Sequence, residues 1–309
     1  MLTREQFVGP WAGLPIAWSD DGGLDEPTYR GDVARCCAAG MPGVYTGGTT
    51  GEFYALEFEE FCAVADATIA ECHNAGAPAM IGCTAPWTAG VIRRARYAAD
   101  AGADAIQVAL PFWLEVPDDR VVPFFAEVSA AVPGMPMTIY ETLRAKKAIS
   151  VELHRQIHEA VPAVIGVKAN DGTPGKTPEG CAAISQWYNV FVGEPSLSQL
   201  GPCGAVGTCS SLVYQNPRLV LRAYELLRER RWNELRRWTG RFGRMIREGL
   251  APAFAAGLMD SALDRILGRS AGFLRTSLHC RAPYPSATPE LLEAFRAWLR
   301  ANDPEFLEL

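Results

Sequence analysis

Short apolar runs rich in β-formers recur along the first two thirds of the chain: Leu14–Trp18, Gly43–Thr46, Met80–Cys83, Ala105–Leu110, Met137–Glu141, Val164–Lys168, Val190–Gly193 and Ala205–Cys209. Stretches with helical spacing separate them, including Glu26–Ala39, Glu57–Asn74, Ala89–Ala101, Asp118–Val132 and Ser150–Ala160. A parallel strand needs a crossover before the next, so strands alternating with helices predict βαβ units. Eight such strands favour a closed (β/α)8 barrel over the alternative, an open doubly wound sheet. After Pro217 the strand signal stops and helical periodicity continues through Pro217–Arg230, Trp232–Gly249, Phe254–Leu267 and Thr288–Ala301, the last opened by Thr-Pro-Glu. The pattern therefore predicts a barrel over residues 1–230 and a C-terminal helical extension over residues 231–309, packed on the barrel.

Composition narrows the function classes. At 309 residues, with 49% hydrophobic and 21% charged positions, the chain is globular and fits one barrel of about 250 residues plus an extension. A net charge of −6 without a basic stripe argues against a nucleic-acid partner. The apolar runs are strand-length, too short for a membrane span. Met1–Pro10 has no signal-peptide pattern. Nine scattered cysteines without a Cys-x-x-Cys pair read as reduced thiols, and the expected location is the cytoplasm.

Lys168 is one of four lysines, with Lys146, Lys147 and Lys176, and alone ends an apolar run. In a barrel, the C-terminal end of a strand points into the pocket. Desolvation there disfavours the ammonium and lowers its pKa, and a neutral amine can attack a ketone to form an imine. The alternative is a strand-end lysine reaching solvent or pairing with Asp171. Tyr140 lies near the end of the preceding strand, where a phenol can shuttle protons; a solvated rim tyrosine is the plainer alternative. Gly47-Gly48-Thr49-Thr50-Gly51-Glu52 follows the second strand and offers backbone N–H groups and hydroxyls to a carboxylate, although such a segment is usually only a turn. No nucleotide-binding glycine motif is present.

Together, Gly48-Thr49-Thr50-Gly51-Glu52, Tyr140, Gly166-Val167-Lys168 and Gly204-Ala205-Val206-Gly207 resemble, in order and spacing, the dihydrodipicolinate synthase / N-acetylneuraminate lyase family. The resemblance covers nearly the whole chain. It implies a (β/α)8 barrel, a homotetramer or dimer, no metal or organic cofactor, and a small 2-oxo acid such as pyruvate as substrate. It also implies Lys168 as the imine-forming lysine, Tyr140 as proton relay, Thr49 and Thr50 as carboxylate binders and Glu52 as a brace for the turn. Gly48, Trp113, Glu141, Arg144 and Cys209 complete the expected substrate-facing set. Where the synthases carry Pro-Tyr-Tyr, this chain has Pro111-Phe112-Trp113, without an acidic hydroxyl. Tyr140 is followed by Glu141-Thr142-Leu143-Arg144, and Lys168 by Ala169-Asn170-Asp171. These departures point away from lysine biosynthesis and toward an aldolase, hydratase-aldolase or dehydratase acting on another 2-oxo acid. Phe112 and Trp113 fit either an apolar aldehyde pocket or a subunit contact. Synthase-type condensation, and a non-catalytic 2-oxo-acid binder on the same barrel, are the alternatives.

Other features read as structural. His154 and His158, four apart, suggest a solvated helix face. Cys36-Cys37 are small packing residues, and Arg228–Arg237, offset by glutamates, is a packing helix. Asp260 and Asp264 share helical spacing without partner ligands.

Overall fold

The computed structural model describes residues 1–309. Its eight strands are β1 (Gly9–Gly13), β2 (Val44–Thr46), β3 (Ala79–Gly82), β4 (Ala105–Val108), β5 (Met137–Glu141), β6 (Val164–Ala169), β7 (Asn189–Phe191) and β8 (Ala205–Ser210). All neighbours pair in parallel, and β1 pairs with β8, so the sheet closes into a barrel. The crossovers are α1 (Glu26–Ala38), α2 (Phe58–Asn74), α3 (Thr88–Asp100), α4 (Asp118–Ala131), α5 (Val151–Ala160), α6 (Pro178–Ile184) and the short α7 (Leu197–Leu200); α8 (Pro217–Arg228) follows the last strand. Helices α9 (Trp232–Arg244), α10 (Ala251–Ala255), α11 (Asp260–Ser270) and α12 (Pro289–Asn302) form the C-terminal extension. None is long and apolar enough to cross a membrane.

Local signals explain the helix starts. Thr177, Asn216 and Thr288 each accept a backbone N–H from the first turn of α6, α8 and α12, with Pro178, Pro217 and Pro289 at the first helical position. Proline tolerates that site because its missing N–H would have no partner there. Ser150 caps α5 in the same way, its side chain accepting from Leu153 N.

The apolar residues divide into two layers. The larger lies between strands and helices and includes residues of the extension such as Phe242, Ile266, Phe295 and Phe306. The smaller fills the barrel interior with Phe7, Trp11, Tyr45, Met80, Ala105 and Phe191. Phe7 packs tilted at 32° against Phe191 with centroids 4.2 Å apart and meets Trp11 edge-on at 5.0 Å. Glycine makes room for these rings: a Cβ on Gly43 would lie 2.4 Å from Trp11.

Two expectations about elements need correction. The first strand is Gly9–Gly13, not Leu14–Trp18. The later run is apolar because the extension covers it: Thr276 Oγ1 donates to the Ile16 carbonyl, and Ser277 Oγ to that of Trp18. The helix expected over Phe254–Leu267 is two helices, broken at Gly257, whose φ is +76°. That left-handed backbone ends a helix at little cost only for glycine.

Candidate active site

Strand register sets the centre of the site. Tyr140 on β5 pairs with Lys168 on β6, and side chains alternate along a strand, so both face the barrel interior. The Lys168 ammonium nitrogen lies 4.4 Å from the Tyr140 ring centroid and 5.0 Å from that of Tyr45, and it donates to the Tyr45 hydroxyl at 3.0 Å. The Tyr140 and Thr49 hydroxyls are 2.9 Å apart. Lysine, phenol and threonine turn thus converge from β6, β5 and the loop after β2.

Lys168 keeps some accessible surface while protein encloses its amine. Desolvation is the largest single influence and pulls the pKa down, but the net direction is upward from the usual lysine value, through the anionic forms of Tyr45, Tyr140 and Cys209. Those anions belong to alkaline solution: burial raises the Tyr45 phenol and pushes the Cys209 thiol up to about 12. Near neutral pH Tyr45 and Cys209 are uncharged, and burial then favours the neutral amine.

The threonine turn is held from several directions. Gly47, with φ +70°, meets β3 so closely that a Cβ would lie 2.4 Å from the Gly82 carbonyl oxygen. Gly48 is buried against the Tyr45 ring, and a Cβ there would lie 3.4 Å from it. Ser261, in the first turn of α11, donates to the Thr49 and Thr50 carbonyls at 3.1 and 2.7 Å. Thr50 Oγ1 donates to Asp264 Oδ2 at 2.5 Å. Glu52, at a left-handed φ of 44°, accepts from Trp18 Nε1 (2.8 Å), Arg265 Nη2 (2.5 Å) and the Arg281 backbone N–H (3.0 Å). Both side chains of the Glu52–Arg265 pair are fully buried.

A cavity of about 260 Å³ adjoins this cluster and reaches Thr49 and Tyr140. Its wall is aromatic. Phe112 meets Phe53 edge-on at 5.7 Å, Phe53 meets Tyr54 at 5.5 Å, and Tyr54 meets Tyr284 at 4.8 Å. Arg144 also lines the cavity, half exposed and ion-paired to Asp260 at 3.0 Å. Cys209, on β8, is partly buried within the barrel interior near Lys168.

Two expected contacts lie elsewhere. Glu141 follows Tyr140 on the strand, so strand alternation turns it to the helical layer. There it accepts from Ile149 N at 2.9 Å and faces His154 Nε2 at 3.3 Å, with both side chains buried. This also corrects His154, which is not on a solvated face; His158 is exposed. Trp113 is 74% exposed and outside the cavity wall, its carbonyl accepting from Lys146 Nζ at 2.5 Å.

Sequence reading missed Tyr45, Phe53, Tyr54, Ser261 and Tyr284, and set Asp264 aside as structural. Tyr45 carried a usable signal, an inward position on a strand that was recognised. Ser261, Asp264 and Tyr284 lie more than 200 residues from the turn and carry no local signal.

Comparison with known proteins bears on the family and the fold. Residues 7–301 match the Dihydrodipicolinate synthetase family. The chain is 26% identical over 217 residues to 4-hydroxy-tetrahydrodipicolinate synthase of Acidovorax sp. (strain JS42), covering 69% of this chain and 72% of that protein. It is 37% identical over 133 residues to the probable 5-dehydro-4-deoxyglucarate dehydratase 1 of Streptomyces coelicolor, covering 43% of this chain and 41% of that one. The structure of a catalytic lysine mutant of Ruminococcus gnavus sialic acid aldolase superposes with a TM-score of 0.86 at 20% identity, covering 99% of this chain and 100% of that one. The chain belongs to the dihydrodipicolinate synthetase family.

Proposed function

We propose that this protein is a lyase that binds pyruvate or a related 2-oxo acid as an imine on Lys168. The observation that carries the reading is the Lys168 amine under the Tyr140 ring, with the Tyr140 hydroxyl 2.9 Å from Thr49. The neutral amine attacks C2 of the oxo acid and forms a C–N bond. The ketone oxygen takes a proton from Tyr140, which is restored by one of the two protons of the lysine nitrogen. A second proton from the phenol lets the oxygen leave as water, and the nitrogen keeps its other proton as an iminium beside the phenolate. The iminium then accepts the electron pair of the C3–C4 bond as the C4 hydroxyl gives its proton to the Tyr140 oxygen and an aldehyde departs, or that of the C3–H bond, whose proton passes through the same oxygen to the C4 hydroxyl, which leaves as water. Gly48, Thr49 and Thr50 hold the carboxylate through backbone N–H groups and hydroxyls. Tyr45 accepts from the amine and fixes its direction. No metal or organic cofactor is needed for these steps.

The aromatic wall from Phe112 to Tyr284 suits an apolar or aromatic distal half of the substrate, and Arg144 stands where a polar tail would end. The test is trapping. The protein is incubated with pyruvate and borohydride, and the modified peptide is mapped by mass. A reduced adduct on Lys168 that Lys168→Ala abolishes is the expected result. Reversible pyruvate binding with no adduct would reduce the protein to a binder.

A further inference from the structure

The carboxyl of Asp264 is buried, 2.5 Å from the hydroxyl of Thr50, and has no part in the imine chemistry above. It belongs to α11, whose Ser261 grips the same turn through two carbonyls. One helix of the extension therefore sets both the backbone and the hydroxyl of Thr50. A hydroxyl has a single proton. While Thr50 gives it to a charged Asp264, it presents only lone pairs to anything else, and an anionic ligand beside it also meets the Asp264 charge. A neutral Asp264 reverses the bond: its own O–H donates to Thr50 Oγ1, and the Thr50 proton is free to turn to a bound carboxylate.

Resting on the 2-oxo-acid reading of this site, we infer that Asp264 is a positioning residue that must be protonated for Thr50 to hold the ligand carboxylate, so that ligand binding takes up a proton. The groups around Asp264 agree with this. Thr50 faces it from the turn after β2, Ser211 and Tyr214 from the segment after β8, Lys168 from β6, Cys280 from the C-terminal segment and Asp260 from its own helix. Burial, the largest influence, pushes Asp264 up to about 7, Asp260 pushes the same way, and the Thr50 and Ser211 hydroxyls and the Lys168 charge oppose. The Tyr214 hydroxyl is buried without a partner, so it gives no hydrogen bond that would hold the Asp264 charge. Binding a second carboxylate nearby raises Asp264 further, which is the linkage that draws in the proton.

The experiment titrates pyruvate calorimetrically into the whole protein across roughly pH 5.5 to 9, in buffers of different ionisation enthalpy, with borohydride trapping in parallel. The wild type should take up a proton on binding, and its affinity should fall by up to about tenfold per pH unit above the Asp264 midpoint. In Asp264→Asn the amide donates to Thr50 at every pH, so the Asp264 part of that slope should vanish, leaving only what Lys168 contributes, while the adduct still forms. Thr50→Ala, a second variant, should lose affinity at low pH and keep only the part of the slope that comes from the Asp264 charge meeting the ligand carboxylate directly; full affinity at low pH would overturn the Thr50 role. Any titration of Lys168 itself persists in Asp264→Asn and is read there as the residual slope. An adduct with the same pH slope in wild type and Asp264→Asn overturns the Asp264 role and spares the imine. A slope without an adduct overturns the imine and spares Asp264, and failure to bind pyruvate at all overturns both.

Discussion

At Tyr140 the phenol is a roof, its ring covering the Lys168 amine and its hydroxyl meeting Thr49, and in the proposed mechanism also a relay. Tyr140→Phe keeps the roof and removes the relay. Turnover should drop by roughly a hundredfold or more, with pyruvate affinity little changed; steady-state kinetics beside direct binding decide it, and equal losses in both would count against a relay. Gly13 acts on the same amine from a distance. A Cβ there would lie 2.3 Å from the Tyr45 hydroxyl, the acceptor of the Lys168 bond. Gly13→Ala should therefore cost about 1–3 kcal/mol by overpacking, read from denaturant midpoints, and should slow adduct formation with borohydride. An unchanged trapping rate would mean Tyr45 does not orient the amine. Lys168 and Tyr140 were legible in the sequence because each sits at the end of a recognisable strand. Glu141 was misread although strand alternation already assigned it to the opposite face, and Trp113 because a loop has no period to say where its side chains point.

Among the elements, the turn after β2 depends most on parts distant in the chain. Glu52 joins the chain after β1, through Trp18, to α11, through Arg265, and to the C-terminal segment, through Arg281. Removing one partner of a buried ion pair strands the other charge, which is far costlier than the pair is stabilising. Glu52→Gln should destabilise the protein by about 3–5 kcal/mol, measurable by denaturant unfolding, and should loosen the Thr49–Thr50 turn. A loss within the range of ordinary surface substitutions would show that water reaches Arg265. The family resemblance marked Glu52 as a brace, but what it braces against was hidden because two of its three partners, Arg265 and Arg281, are contributed from beyond residue 260. The misplaced β1 has a related cause: Leu14–Trp18 is apolar for the sake of the extension, and hydrophobicity alone does not say which layer buries a residue.

For the molecule as a whole, barrel and extension share one apolar core, so the buried Asp264 carboxyl bears on global stability as well as on ligand. Its pKa is raised in the fold, to about 7, against about 4 in an unfolded chain. The stabilisation from holding that proton is complete below about pH 4, fades as pH rises and is gone once pH passes through about 7. The difference is on the order of a few kcal/mol. Asp264→Asn removes this dependence, so the variant should compare more favourably with the wild type at about pH 8 than at about pH 5; chemical denaturation at the two values tests it, and an unchanged difference would mean the carboxyl is solvated. The alternation of strands and helices made the barrel readable at this scale, whereas the docking of α11 on the threonine turn joins residues 212 apart and left no trace in any local window. That separation bears on synthesis. A nascent chain can complete all eight strands on the ribosome while the Ser261 and Asp264 grips on the threonine turn are still untranslated, so the pocket matures last, and a prematurely terminated chain would keep the barrel's strands but lack those grips.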